Sequence, residues 1–385
     1  AGKAITTGIQ NTLIGGEAGD AITTANNNTA LGYNSLGVNT TGNSNVAIGY
    51  ATLDANTTAS NNTAVGTSAL TANTTGFDNV AVGATALDAN TTGNGNTAVG
   101  YGSLGSDTLG DRAVAIGKNA LTAQNFTSST DNYNVAIGYS AGSSITTGTP
   151  NTLIGGLAGD ALTTGGSNVA IGYNSLSTED AHGGNVAVGT NALTTQNAGA
   201  TGYNTAVGHN AGLLVTTGIK NVLIGGLAGD VLTDADDNVA VGMNALTADT
   251  LGSKSTAVGS GALAQQNFTS ATNTYNVAVG FDTGNDLTNG VGNQLFGSFA
   301  GDQITTGDYN VCLGYDVGSS VQNLSTGNKN ILIGYKTSGP TTADNAIGIG
   351  DLVSVSANDF SFGKASNIVT NDFDADANWS RSSDE

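Results

Sequence analysis

Residues 45–61 read NVAIGYATLDANTTASN, residues 62–78 read NTAVGTSALTANTTGFD, and residue 79 begins again with NVAVG. One unit of 17 residues is thus repeated with little more than conservative exchange. Within it, Val46 and Ile48 lie two apart, the spacing that puts side chains on one face of a strand. Ala47 and Gly49 then take the other face. The middle of the unit carries an Ala-Leu pair, as in Ala69-Leu70 and Ala86-Leu87. It closes on Asn-Thr-Thr-Gly, as at 73–76 and 90–93, and Asn and Gly suit sharp corners because they tolerate positive φ. Seventeen residues are too few for a strand, a helix and their turns. They predict two short strands and two turns, one coil of a parallel β-solenoid.

Outward from this stretch, the motif Asn-[Val/Thr]-[Ala/Leu]-aliphatic-Gly starts at Asn11 and recurs along the chain to a degenerate copy at Asn345. Most starts are 17 residues apart. The steps from Ala113 to Asn134 and from Ser255 to Asn276 are 21. About 20 coils stacked at ~4.8 Å predict a rod on the order of 95 Å. Stability in such an array comes from neighbour stacking, and identical Asn residues in successive coils predict amide ladders. With Val and Ile assigned to the interior, the small Ala/Gly face is left outside. It is expected to pack against further copies of the chain in a symmetric homo-oligomer. A longer period is also present: NTLIGG-x-AGD occurs at 11–20 and 151–160, with variants at 221–230 and 293–302.

Composition excludes several functions. There are 58 Gly in 385 residues, 9 Lys plus Arg, 29 Asp plus Glu and a formal net charge of −20. Phosphate binding needs clustered cations, so no nucleic acid is expected. No apolar run approaches the ~20 residues of a membrane span, so no membrane insertion is expected. One Cys and two His offer no metal-ligand spacing. No recurring carboxylate pair or nucleophile–base arrangement is present, so the chain is expected to be no enzyme, with no catalytic, cofactor-binding or metal residues and no cofactors. Asp20, Asp160, Asp230 and Asp302 share one position and read as turn residues rather than calcium ligands. His182 and His209 read as loop residues, Asp234, Asp236 and Asp237 as a solvated loop, and Cys312 as a small packed residue at an Ala position.

Two insertions lengthen the coils at one place. They are AQNFTSSTDNY at 123–133 and AQQNFTSATNTY at 264–275. Length variation confined to one edge marks a binding face in repeat proteins. Phe126, Tyr133, Phe268 and Tyr275 are the expected aromatic contact residues, since interfaces favour such side chains. The tyrosines that follow the motif glycine, such as Tyr33, Tyr50 and Tyr101, read as packing residues.

Residue 1 is Ala, and residues 1–10 correspond to the middle of a coil, so upstream sequence is expected. The repeats occupy 1–350. Residues 351–385, with Phe360, Phe362, Phe373 and Trp379, are expected to form a differently packed cap or crossover.

The motif copies at 45–49, 134–138 and 168–172 resemble the head repeats of trimeric autotransporter adhesins. That resemblance implies a left-handed parallel β-roll in a homotrimer, although the coils here are longer. The array also resembles those of bacteriophage tail fibres. Its last residues, Trp379-Ser380-Arg381-Ser382-Ser383-Asp384-Glu385, are similar to the junction that precedes a self-cleaving intramolecular chaperone in such fibres. The likeness implies a virion location, the shaft or receptor-binding part of a tail fibre, other fibre or tail proteins upstream, and a host-surface polysaccharide or protein receptor. The alternative is an adhesin head on a bacterial cell surface. The Thr-rich segments leave an ice-binding solenoid as a third, less favoured class.

Overall fold

The computed structural model describes residues 1–319, 324–372 and 374. Among them there is no helix, and the chain is the expected parallel β-solenoid of about 21 turns with a spacing of about 17 residues. It forms two compact units, residues 1–191 with 199–201, and residues 192–198 with the chain from 202 onward.

In the first unit, strands from Thr12–Ile14 to Val186–Val188 follow one another in parallel. The register is the repeat itself: Val46, Ala47 and Ile48 face Thr63, Ala64 and Val65. The 21-residue coil keeps this register, with Val114 opposite Val135. In the second unit the same ladder runs from Thr205–Val207 to Ile347–Asp351 and on into Asp359–Lys364. There the direction reverses. Asn367–Asp372 pairs antiparallel with Asp359–Lys364 through a hairpin at Ala365, whose φ is 51°. Phe373 and the terminal segment from Trp379 lie outside the described residues.

Most coils hold one strand, not two; around each insertion a second, two-residue strand is added, Gly110–Asp111 paired with Thr130–Asp131 and Gly252–Ser253 with Thr272–Asn273. The Ala-Leu segment stacks on its neighbours through backbone bonds, such as Leu53 N–H to Ala69 O (3.1 Å) and Ala55 N–H to Thr71 O (3.0 Å). Yet Ser68 and Leu70 both have left-handed backbones, with φ of 56° and 51°. Alternating left-handed residues curl the chain and break the pleat that a strand needs. The corner after each strand is a glycine for a steric reason. At Gly66, with φ of 138°, a Cβ would lie 2.5 Å from the carbonyl oxygen of Gly83 in the next coil.

In nearly every coil the motif Asn is buried, and both ends of its amide are bonded. The backbone N–H of Asn62 donates to Asn45 Oδ1 (3.0 Å), and Asn62 Nδ2 donates to the carbonyl of Gly76 (2.9 Å). The same pair of bonds recurs in the second unit at Asn238, to Asn221 Oδ1 (3.0 Å) and to Gly252 O (2.9 Å). A second amide column runs inside the first unit: Nδ2 of Asn56, Asn73 and Asn90 donates to Oδ1 of Asn39, Asn56 and Asn73 at 3.1, 3.1 and 3.0 Å. The expected ladders are therefore present, and they satisfy amides that would cost about 1–3 kcal/mol each if left unpaired.

The interior assignment of the strand faces is the reverse of the sequence expectation. Ala47, Ala64, Ala81 and Ala98 have no exposed surface, while Val46, Ile48, Val80 and Val82 are half-buried. Leu53, Leu70 and Leu87 reach in from the opposite wall and fill the space. Opposite a Leu, a coil this narrow has room only for a methyl group. The Ala side therefore lies within the chain and cannot meet further copies, and the aliphatic side faces outward.

Candidate interaction surface

Two outward features collect the side chains that a partner would meet: the aliphatic strand face and the insertion edge. On the strand face, one residue of every coil adds to an apolar stripe. In the first unit Ile14, Leu31 and Ile116 are exposed, with Ile48, Val65, Val82 and Val99 half-buried between them. In the second unit Ile224, Val279, Phe296, Leu313 and Ile349 continue the pattern, with Ile331 exposed one column aside, in register with Val311. A stripe of this continuity exceeds the scattered apolar residues of an ordinary surface. Next to the corner glycine, aromatic rings touch from coil to coil. Tyr33 stacks on Tyr50 with centroids 5.8 Å apart. Phe281, Phe299, Tyr315 and Tyr335 form a chain of contacts at 5.4, 5.9 and 5.7 Å. These tyrosines remain about half exposed, so they pack on one another without being buried.

The two insertions are built alike, and they bury half of the expected contact residues. Phe126 and Phe268 are only 5% and 7% exposed. Each folds back over the preceding coil, where its backbone N–H donates to a buried carboxylate: Phe126 to Asp107 Oδ1 (3.3 Å), Phe268 to Asp249 Oδ1 (3.0 Å). They are core residues of the enlarged coil, not contact anchors. Tyr133 and Tyr275 are 54% and 56% exposed and do face outward. Both have left-handed backbones, with φ of 51° and 52°, and each ring lies under a cation, Arg112 at 5.8 Å and Lys254 at 5.6 Å. Arg112 also donates to the Tyr133 hydroxyl (2.9 Å) and pairs with Asp131.

The acid beneath each insertion was not singled out from sequence. Gln124 Nε2 donates to Asp107 Oδ2 (2.7 Å), and Gln124 Oε1 accepts from Asn134 Nδ2 (2.8 Å). Gln266 bridges Asp249 and Asn276 in the same way, at 2.6 and 2.9 Å. Burial pushes both carboxyl groups above the usual range, and the Gln and backbone donors work against it. The available signal was register: Asp107 and Gln124 fall at the 17-residue positions that Asn39, Asn56, Asn73 and Asn90 occupy before them.

Several of the other titratable candidates have structural partners. The backbone carbonyls of Asp20, Asp160, Asp230 and Asp302 accept from the coil before, as Asp230 does from Leu214 N–H at 2.9 Å, in keeping with a turn role. Asp234 Oδ1 accepts from Thr217, and Asp236 Oδ1 from the N–H of Ile219 (2.8 Å). Cys312 is buried in register between Leu295 and Leu332, and burial pushes its thiol up to about 12. Glu179, Asp180 and His182 bring three possible metal-ligand atoms within 4.8 Å of one another. Glu179 Oε1 there accepts the backbone N–H of His182 (3.1 Å), the same turn closure that Asp107 makes with Gly110. Comparison with protein-family models, with curated proteins and with solved structures returns no match for this chain.

Proposed function

We propose that the chain is the shaft or receptor-binding part of a bacteriophage tail fibre, assembled as a homotrimer in the virion, and that it attaches the particle to a host surface without catalysis. The observation that supports this reading is the outward apolar stripe, which repeats once per coil. A surface with that period matches in register only another surface of the same period, and a further copy of the chain supplies one. The contact face is the Val/Ile side. Trimerisation there would cover the stripe and leave the acidic turns and insertion edge in water, where like charge keeps assemblies apart. Native mass measurement should give three chains. Charged replacements at half-buried outward positions, Ile48→Glu with Val82→Glu, should shift the mass to one chain. A monomeric unmodified protein would sink the assembly.

The head of a bacterial trimeric adhesin remains the alternative, since it would use the same coil and the same face. A flanking self-cleaving chaperone favours the fibre, and a flanking membrane-anchoring β-barrel favours the adhesin. Ice binding gains less support. Thr41, Thr58, Thr75 and Thr92 form an exposed column in the first unit. Their neighbours Thr40, Thr57 and Thr74 spend their hydroxyls on the carbonyls of the next coil. The column is one residue wide, and absence of thermal hysteresis activity is the expected result.

A further inference from the structure

Each unit carries a groove on the edge just ahead of the motif Asn, and the two grooves are built by the same rule. In the first unit, three successive coils contribute Phe77, Asn94 and Asp111 at one position. The N–H of Phe77 donates to Asn94 Oδ1 (3.0 Å), and Asn94 donates its N–H and Nδ2 to Asp111 Oδ1 (2.6 and 3.2 Å). In the second unit the corresponding residues are Asp308, Asn328 and Asp344. The N–H of Asp308 donates to Asn328 Oδ1 (2.8 Å), and Asn328 donates its N–H and Nδ2 to Asp344 Oδ1 (2.7 and 3.1 Å). The next residue in every coil is left-handed: Asp78, Gly95 and Arg112 in one groove, Tyr309, Lys329 and Asn345 in the other. Apart from Gly95, their exposed side chains form the rims.

The composition also coincides. Each groove holds one exposed aromatic ring (Phe77 or Tyr309), one cation (Arg112 or Lys329), and pinned Asn and Asp side chains. The volumes are about 230 and 260 Å³. That is below the ~300–1,000 Å³ of pockets for larger ligands and suits a single ring. Beyond the ladder bonds Asn94 and Asn328 each retain one N–H and one carbonyl lone pair, which adjacent hydroxyls match, whereas Asp111 is 6% exposed, with Oδ1 held by Asn94 and Oδ2 by Ser129. The ring offers an apolar platform for the C–H face of the same ligand. Carboxylates outnumber cations, three to one in the first groove (Asp78, Asp111 and Asp131 against Arg112) and two to one in the second. The local field therefore opposes acidic ligands.

We infer that both grooves are saccharide subsites, each taking one neutral or amino-bearing sugar ring of a surface glycan. This rests on the attachment reading above and gives its receptor a chemical class. The test is saturation-transfer NMR on the full chain with free hexoses, N-acetylhexosamines, hexosamines and hexuronates. Transfer to neutral and amino sugars with none to hexuronates is expected. Phe77→Ala with Tyr309→Ala should abolish it. Both side chains are exposed and their ladder bonds are made by backbone atoms, so the oligomeric mass should stay unchanged. No transfer to any sugar, preferential transfer to hexuronates, or transfer that survives the double variant overturns the inference. Adsorption of the assembled protein to cells, measured separately, distinguishes the two readings. Adsorption without sugar transfer removes the grooves and keeps the fibre; transfer without adsorption does the reverse.

Discussion

Two coils of the first unit fill the same interior in opposite ways. In the coil that starts at Asn45, the inward residues are Ala47 on the strand, Leu53 on the facing wall and Asn56 beyond it. In the coil that starts at Asn151 they are Leu153, Gly159 and Leu162 at the corresponding positions. The leucine of the facing wall has moved. Where the wall holds Leu, the third position is polar; where it holds Gly, the third position is aliphatic. The exchange is volumetric, because a Cβ at Gly159 would lie 2.8 Å from Leu162 Cδ1 and 2.9 Å from Leu153 Cδ2. It recurs at Gly19 with Ile22 and at Gly229 with Leu232, and it is the physical content of the AGD blocks. One backbone thus accepts two fillings of the wall and third positions, which switch together, while the strand residue is Leu in the AGD coils but Ala136 beside Gly142 and Ile145, and Ala206 beside Gly212 and Val215.

The largest expected effect comes from mixing the two solutions. Gly159→Leu alone overfills its coil and should cost more than ~3 kcal/mol, read as a fall in thermal midpoint. Adding Leu153→Ala and Leu162→Asn converts the coil to the other type and should recover most of the loss. If the triple variant is no more stable than the single one, the two-core description fails. Next in size is Asn73→Ala, which removes the middle rung of the amide column. Asn56 Oδ1, Asn90 Nδ2 and the carbonyl of Gly76 each lose a partner. A loss of about 2–3 kcal/mol in denaturant unfolding is expected.

The smallest effect concerns the end of the amide column. Asp107 ends the amide column, and Asn90 Oδ1 above it is buried without a partner. The Asp107 carboxyl is raised by burial. A raised acid favours the folded state while protonated, so its contribution is present at low pH. That contribution is lost as pH rises from the unfolded value, near ~3.9, through the folded one. Asp107→Asn carries no charge and supplies an Nδ2 donor for Asn90, but it removes one of the two oxygens that accept from Gln124 Nε2 and from the N–H groups of Gly110 and Phe126. The two effects should offset to within about 1 kcal/mol at pH 8, and the variant should lose ground to the natural protein towards pH 4. A variant that gains ground on acidification would contradict the assignment.

The fold was legible because Asn45, Asn62 and Asn79 keep step with Val46, Thr63 and Val80, and one period cannot serve two coil geometries. The strand faces were misread for a reason that alternation cannot cure. Period two separates Ala47 from Val46 and Ile48 but does not say which side is inside. Only the distance to the Leu53 wall decides that, and it is a property of the closed coil. Phe126 and Phe268 were misplaced because an inserted aromatic reads alike whether it leaves the surface or folds over it. The carboxylates that hold them, Asp107 and Asp249, lie 19 residues away. Tyr133 and Tyr275, one residue before the motif Asn, sit at the left-handed position and are carried outward. The paired grooves escaped notice because the aromatic ring occupies neighbouring positions in the two units.

The hairpin from Asp359–Lys364 to Asn367–Asp372 has a further consequence. Every coil before it offers the next one a template of the same polarity, so a stack of this kind has no intrinsic last layer. A strand laid down backwards changes the grammar of that edge: a coil arriving from another molecule would meet a strand of opposite polarity and could join it only as an antiparallel neighbour, not as one more coil of the stack. The reversal works as punctuation, allowing identical layers to accumulate within a chain while withholding the signal to continue beyond it.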